Sequence, residues 1–405
     1  MPLVIFAAPI LSENALHMVE AAFSLPDVQM AVITQDRAEG LRHLQGRVAH
    51  WRVTDVHDVE QLVWAARGLA QQGGPIHRLF GAYEQLQVSL AQARQVLGID
   101  GLSVEAATNF RDKARMKTLL REAGLPCARH RLAENVADAV SFAKASGFPI
   151  VVKPPAGAGA ISTFRVDDMS ALQAALTLSP PSEEKPVLLE EFVQGEEHSF
   201  ETITIDGKHV WHSLTHYYPT PLQVVDNPWI QWSIVLPREA DDARYDDIRQ
   251  AACRALDVLG MRTGMSHMEW FRRPDGSIAI SEVAARPPGA QITQLMSVAH
   301  DFDAVQAWAR AMIFGTFARP ERKYASGAAF LRGSGEGRIK AVRGVQEVNE
   351  ALGDMIVAAK TPEVGATPSP SYEGDGWVIV RHQDTKRVEQ ALRKIVSTIR
   401  VELGS

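Results

Sequence analysis

Glu269 and Glu282 lie in two short apolar runs, His267–Phe271 and Ile278–Glu282, on either side of Arg273-Pro-Asp-Gly276. Pro-Asp-Gly is a hairpin signal, so the runs read as antiparallel strands and the two glutamates as cross-strand neighbours on one face. Carboxylates that close repel unless a cation lies between them. Hard oxygen donors suit Mg²⁺ that also bridges nucleotide phosphates. The plainer alternative is a pair of exposed hairpin carboxylates. Arg286 follows soon after Glu282, and its planar fork can hold a phosphoryl or acyl-phosphate group. His267 precedes Glu269 by two positions and so points to the same strand face, where it either touches substrate or packs.

Two further segments carry chemistry. Lys153 ends the apolar run Ile150–Lys153, and Ala156-Gly-Ala-Gly-Ala160 follows at once, with Gly157 and Gly159 inside it. Small residues let backbone N–H groups approach phosphate oxygens, and glycine allows unusual φ values. No Gly-Lys-Ser/Thr follows, so this is not a P-loop; a strand-end lysine reaching solvent is the alternative. In the run Leu188–His198, an apolar strand enters Glu190, Glu191, Phe192 and Val193, with Glu197 downstream. A nucleotide site would take the adenine edge on the backbone near Glu191–Val193 and the ribose hydroxyls on a later carboxylate. The alternative is an acidic surface loop.

The elements that must position these residues are legible from pattern. Leu3–Pro9, Val28–Thr34 and Arg78–Ala82 read as strands, and Glu13–Phe23, Val59–Gln71 and Tyr83–Leu97 as helices. That alternation predicts a parallel α/β domain over roughly 1–105, without a GxGxxG dinucleotide fingerprint. Helices are predicted over Asn109–Glu122, stopped by Gly124, and over Val136–Ser146 and Asp242–Leu259. Ser199–Ile205 is a strand turning at Asp206-Gly207. From about Ser326 the pattern changes to short strands, the glycine-rich Arg332–Arg338 and a last helix near Val388–Ser397. Arg332 there either closes over a site and meets substrate or belongs to a plain turn.

The chain has 405 residues, 46% hydrophobic and 22% charged, with a net charge of -6. This is globular composition, and with no long basic run it argues against nucleic acid as the main partner. Cys127 and Cys253 form no CxxC pair, which fits a reducing compartment. No run approaches the length of a membrane span and Met1–Pro9 lacks a basic leader, so a cytoplasmic protein without membrane attachment is expected.

Lys113 in Arg111-Asp112-Lys113, Lys153 with its small-residue loop, the segment Glu190–Glu197, Glu269, and Glu282 followed by Arg286 occur in this order. Together they resemble the ATP-grasp superfamily over about residues 105–310, in particular carboxylate–amine ligases of the L-amino-acid ligase and purine-biosynthetic type. The resemblance implies an α/β and α+β fold. An N-terminal parallel α/β domain (1–105) precedes two α+β subdomains gripping ATP, a small one with a phosphate flap (106–195) and a large one with a metal site (196–325). A small C-terminal α+β domain (326–405) follows. It further implies that Lys113 and Lys153 hold ATP phosphates and that Gly157 and Gly159 form the flap. Glu190 to Val193, with the backbone of Glu191 and Val193 on adenine, and Glu197 on ribose, would bind the nucleotide. Glu269 and Glu282 would hold Mg²⁺, and Arg286, with Lys153, would act on the phosphoryl group. Small-molecule carboxylate and amine substrates follow, and a homodimer is common in this type. Ala284 departs from the pattern, since many relatives carry Asn there, which leaves the number of Mg²⁺ ions open. A biotin carboxylase-like enzyme and a catalytically silent nucleotide-binding module are the other readings.

Overall fold

A computed structural model of the chain describes residues 1–44, 46–156, 163–227 and 229–404. The N-terminal region is a parallel four-stranded sheet in the order Ala49–Arg52, Gln29–Thr34, Leu3–Ala8, Ile76–Phe80. Its central strand Leu3–Ala8 is buried along its whole length, as expected of a strand covered by helices on both faces. Ser12 caps the helix Glu13–Phe23 by accepting from the Ala15 N–H. The end of this sheet presents Ile10, Ser12 and the segment Ala82–Gln85 to the rest of the molecule.

A second, antiparallel sheet runs His130–Ala133, Val187–Glu191, Ile150–Lys153, Phe164–Val166. It is covered by the helices Val136–Ser146 and Met169–Leu178, whose Ala139, Ala143, Leu172 and Leu176 pack on Ile150, Val152 and Leu189. The third sheet has eight antiparallel strands: Ile278–Ala284, Gly264–Arg272, Glu196–Ile205, Lys208–Tyr218, Trp232–Leu236, Ala325–Leu331, Gly376–His382 and Ile356–Lys360. The expected turn joins two of these strands. Asp206 and Gly207 both have positive φ, 48° and 77°, the geometry that matches strand twist in a two-residue hairpin. The C-terminal region is α+β as expected, and it is continuous with the large sheet, because Ala325–Leu331 pairs directly with Trp232–Leu236. A small sheet of Gly333–Ser334, Arg400–Gly404 and Arg338–Arg343 closes the chain.

One helix differs from expectation. In place of a single helix over Asn109–Glu122 there are two, Val104–Arg111 and Lys113–Glu122. Asp112 separates them in an extended conformation, and its carboxylate accepts from the Ala114 and Arg115 N–H groups. A side chain that caps a helix start competes with continuation of the preceding helix. The break makes Lys113 the first residue of the second helix, aimed at the large sheet rather than along a continuous rod.

Candidate active site

The predicted hairpin sets the register of the site. Gly264–Arg272 pairs with Ile278–Ala284, and Glu269 lies directly opposite Glu282. A bulge next to this pair leaves Ser281 as the extra residue. The alternation places His267, Glu269 and Phe271 on the wall of a cavity, while Met268 and Trp270 enter the core beneath the helix Asp246–Leu259. The Ser281 carbonyl accepts from Lys117 Nζ at 2.6 Å.

Three lysines converge here from two elements. Lys113 Nζ donates to Glu282 Oε1 at 2.7 Å. Lys153 Nζ is 3.0 Å from Glu190 Oε2, and Lys117 Nζ is 3.3 Å from Glu190 Oε1, an ion contact without the alignment of a hydrogen bond. Lys117 is 0% exposed. Burial lowers its pKa, and Glu190 offsets only part of this. For Lys153 burial is outweighed by Glu190 and Glu282, and its pKa rises. Glu190, equally buried, is held below the usual carboxylate range by the two lysines.

The acidic side of the cavity is graded. Glu197 is pushed well above the usual carboxylate range, by burial and then by Glu269. Glu269 is held low although burial opposes it, because His267 lies beside it, with Nε2 3.7 Å from its Oε1. His267 Nδ1 lies 2.9 Å from Glu201 Oε1. Burial disfavours its charge, yet the bonded Glu201 and the Glu269 carboxylate, 3.7 Å from its Nε2, raise its pKa to about 9. Glu201, wholly buried, also accepts from Ser199 and Thr215 hydroxyls.

At the opposite wall Arg286 Nε and NH2 contact Glu84 Oε2 at 3.1 and 3.0 Å, and Arg111 NH1 donates to Glu84 Oε1 at 3.1 Å. Glu84, 6% exposed, comes from the N-terminal parallel domain. At the nucleotide-segment end, the Glu191 N–H donates to the Arg129 carbonyl and the Phe192 N–H to the Pro149 carbonyl. The Glu191 carboxylate pairs with Arg129 and Arg273, and Arg165 lies over the Phe192 ring.

A single cavity of about 610 Å³ is lined by Lys113, Lys153, Glu190 to Val193, Glu197, His267, Glu269, Glu282 and Arg286. Gly157 and Gly159 lie outside the described residues. Arg332 is placed elsewhere, and its expected contact with substrate is corrected. It is buried, its NH1 directed at the carbonyls of Val224, Asn227 and Ile230 at 2.8, 3.3 and 3.3 Å, so it anchors a loop of the cavity wall. Sequence reasoning missed Lys117, Glu84 and Glu201. Lys117 had a signal, since it lies one helical turn after Lys113 on the same face. Glu84 and Glu201 had none.

Residues 118–295 match the family model described as the ATP-grasp domain. The chain carries an ATP-grasp domain. Its fold is the ATP-grasp fold. An L-amino acid ligase from Bacillus licheniformis superimposes with a TM-score of 0.79 at 18% identity, covering 100% of this chain and 99% of that one. N5-carboxyaminoimidazole ribonucleotide synthetase from Thermotoga maritima gives 0.72 at 18% identity, with 100% of each chain covered. In sequence, the L-arginine-specific L-amino acid ligase of Bacillus subtilis is 25% identical over 228 residues, 55% of this chain and 54% of that protein. The carbamoyl phosphate synthase large chain of Thermotoga neapolitana is 26% identical over 245 residues, 54% of this chain and 22% of that protein. The match thus spans about half of the amino acid ligase. Lys113 and Lys117 lie just before the matched ATP-grasp segment, on the helix that leads into it. Among the described residues no helix is long and apolar enough to cross a membrane.

Proposed function

We propose that the protein is an ATP-dependent carboxylate–amine ligase that activates an amino acid as an acyl phosphate. The observation that carries this reading is the shared cavity in which Lys113 and Lys153 stand beside the Glu269–Glu282 pair, with Arg286 on the facing wall. A carboxylate is a poor electrophile. Its oxygen attacks the γ-phosphorus of ATP, ADP departs, and the resulting acyl phosphate is open to attack by an amine nitrogen. Phosphate leaves, the amine sheds a proton, and an amide remains. Such chemistry needs little covalent help from the protein; it needs alignment, charge neutralisation and exclusion of water.

Lys153 and Lys113 are suited to the phosphates, and the strand end Glu190–Val193 to the adenine edge, with Val193 the backbone position for that contact. Glu197, raised in pKa, suits a hydrogen bond to ribose. Arg286 suits the phosphoryl group as it passes to the substrate. Among the described residues no group of three or more His, Cys, Asp and Glu side chains is assembled for a metal. Mg²⁺ nonetheless fits the donors present. Glu269 and Glu282 offer oxygen alone, and Mg²⁺ takes one or two protein carboxylates when phosphates complete its shell. When bound it would neutralise phosphate charge. Lys113, seated on Glu282 Oε1, orients that carboxylate.

Phosphate release from MgATP in the presence of pooled amino acids and amines tests the reading. Release that requires both an acid and an amine is expected, and Glu282→Gln should reduce it by about three orders of magnitude while the protein stays folded, since metal-held charge supplies several kcal/mol. Release by Glu282→Gln at the native rate would overturn the assignment of the carboxylate pair.

A further inference from the structure

Beyond the phosphate and metal groups, the cavity has a wall of different character. Tyr217, Leu222, Val225, Trp232, Ile292 and Tyr372 line it, and none of them is charged. The aromatic members form one cluster, in which Tyr217 and Trp232 are core residues, 7% and 1% exposed, and Tyr372 is the part-exposed member. Tyr217 and Trp232 have ring centroids 6.4 Å apart, Trp232 and Tyr372 5.5 Å, and Trp232 is backed by Phe330 stacked at 4.4 Å. The Trp232 Nε1–H donates to the Tyr372 carbonyl at 2.7 Å, so its one polar atom is satisfied away from the cavity. Leu222 and Val225 project from the short helix Pro221–Asp226, which a capping box at Thr220 starts and Arg332 holds from behind.

This wall adjoins the reacting end. Tyr372 lines the same cavity as Glu269 and Arg286. Glu373 next to it accepts from the Ala290 N–H at 3.2 Å, tying the segment after Arg286 to the same wall. A carboxylate delivered to Arg286 therefore carries its side chain onto this surface. A charged side chain against Leu222, Val225 and the Tyr372 ring would lose its water without gaining a partner from them, whereas a large apolar one covers their exposed area.

Resting on the ligase reading, we propose that the acid activated here is an amino acid with a bulky apolar side chain, seated against Leu222, Val225 and Tyr372. The test uses the whole protein with MgATP, hydroxylamine as the trapping amine and single amino acids: Leu, Met and Phe against Gly, Asp and Lys. Each activated acid is read as its hydroxamate. The apolar acids are expected to exceed the others by about tenfold or more in kcat/KM, the scale at which hydrophobic pockets discriminate. Leu222→Asp, with its thermal unfolding checked, should raise KM for the apolar acid by about tenfold with KM for ATP little changed. Hydroxamate formed chiefly from Gly, Asp or Lys overturns the side-chain class and leaves the ligase reading standing. No hydroxamate from any acid, with no ADP formed, overturns both.

Discussion

Glu84 and Arg286, 202 positions apart in the chain, meet through the Arg286 Nε and NH2 contacts to one carboxylate oxygen. The other oxygen is held by Arg111. A residue of the N-terminal parallel domain thus orients the arginine proposed to hold the phosphoryl group, and that domain contributes to the cavity. Glu84→Gln should reduce kcat/KM for the acid about tenfold to a hundredfold, the worth of one hydrogen bond to a charged group, with KM for ATP little altered. Steady-state kinetics with each substrate varied separately reads this, and an equal rise in both KM values would argue against it.

Lys117 is a fully buried cation between the Ser281 carbonyl and Glu190. Lys117→Met removes one partner of a buried pair and leaves Glu190 with Lys153 alone, at a cost of about 3 kcal/mol in denaturant unfolding. The same change frees the bulge beside Glu282, so the surviving folded protein should show weakened Mg²⁺ dependence. Unchanged unfolding would show that the pair contributes nothing net.

Arg332 holds three carbonyls of the loop bearing Leu222 and Val225. Arg332→Ala leaves them to water or unpaired, at about 1–3 kcal/mol. Faster amide hydrogen exchange over residues 221–230 is expected, with a raised KM for the acid. Exchange as slow as in the native protein would locate the loop's restraint elsewhere.

His198 and His300 are buried and His216 is half-buried, and loss of hydration lowers their pKa values to about 2, 4 and 4, in the order His198, His216, His300, from 6.5. The unfolded chain binds protons at these residues below pH 6.5 where the native state does not, so stability is full above 6.5 and falls with acid. Each histidine contributes a slope of about 1.4 kcal/mol per pH unit between 6.5 and its folded value. His300 packs against Trp211 and Phe302, so His300→Phe keeps an aromatic ring there and should flatten the acid limb by one such slope. Denaturant unfolding at pH 7 and pH 5 measures it; parallel acid limbs for the two proteins would refute the assignment.

How much was legible follows from the range of each interaction. The Glu269–Glu282 register could be read because a tight Pro-Asp-Gly turn couples both strands locally, and side-chain alternation then orients His267, Glu269 and Phe271 together. Two central strands of the parallel N-terminal sheet were legible as apolar runs, whereas its edge strand Ala49–Arg52, only part-buried and polar at alternate positions, was not read. The helix break at Asp112 was not, since Asp-Lys inside a helical pattern carries the same periodicity whether the aspartate caps or continues.

By itself the sequence determined which groups were available for chemistry and, through their order, the ATP-grasp reading of about residues 105–310. Only the tertiary structure decided their partners. Glu84 reached Arg286, Lys117 reached Ser281 and Arg332 turned to the loop after Tyr218, because each pairing joins elements far apart in the chain. Burial there forces every charge to find a partner, and that partner is set by which elements the core packs side by side, a choice that local periodicity does not encode.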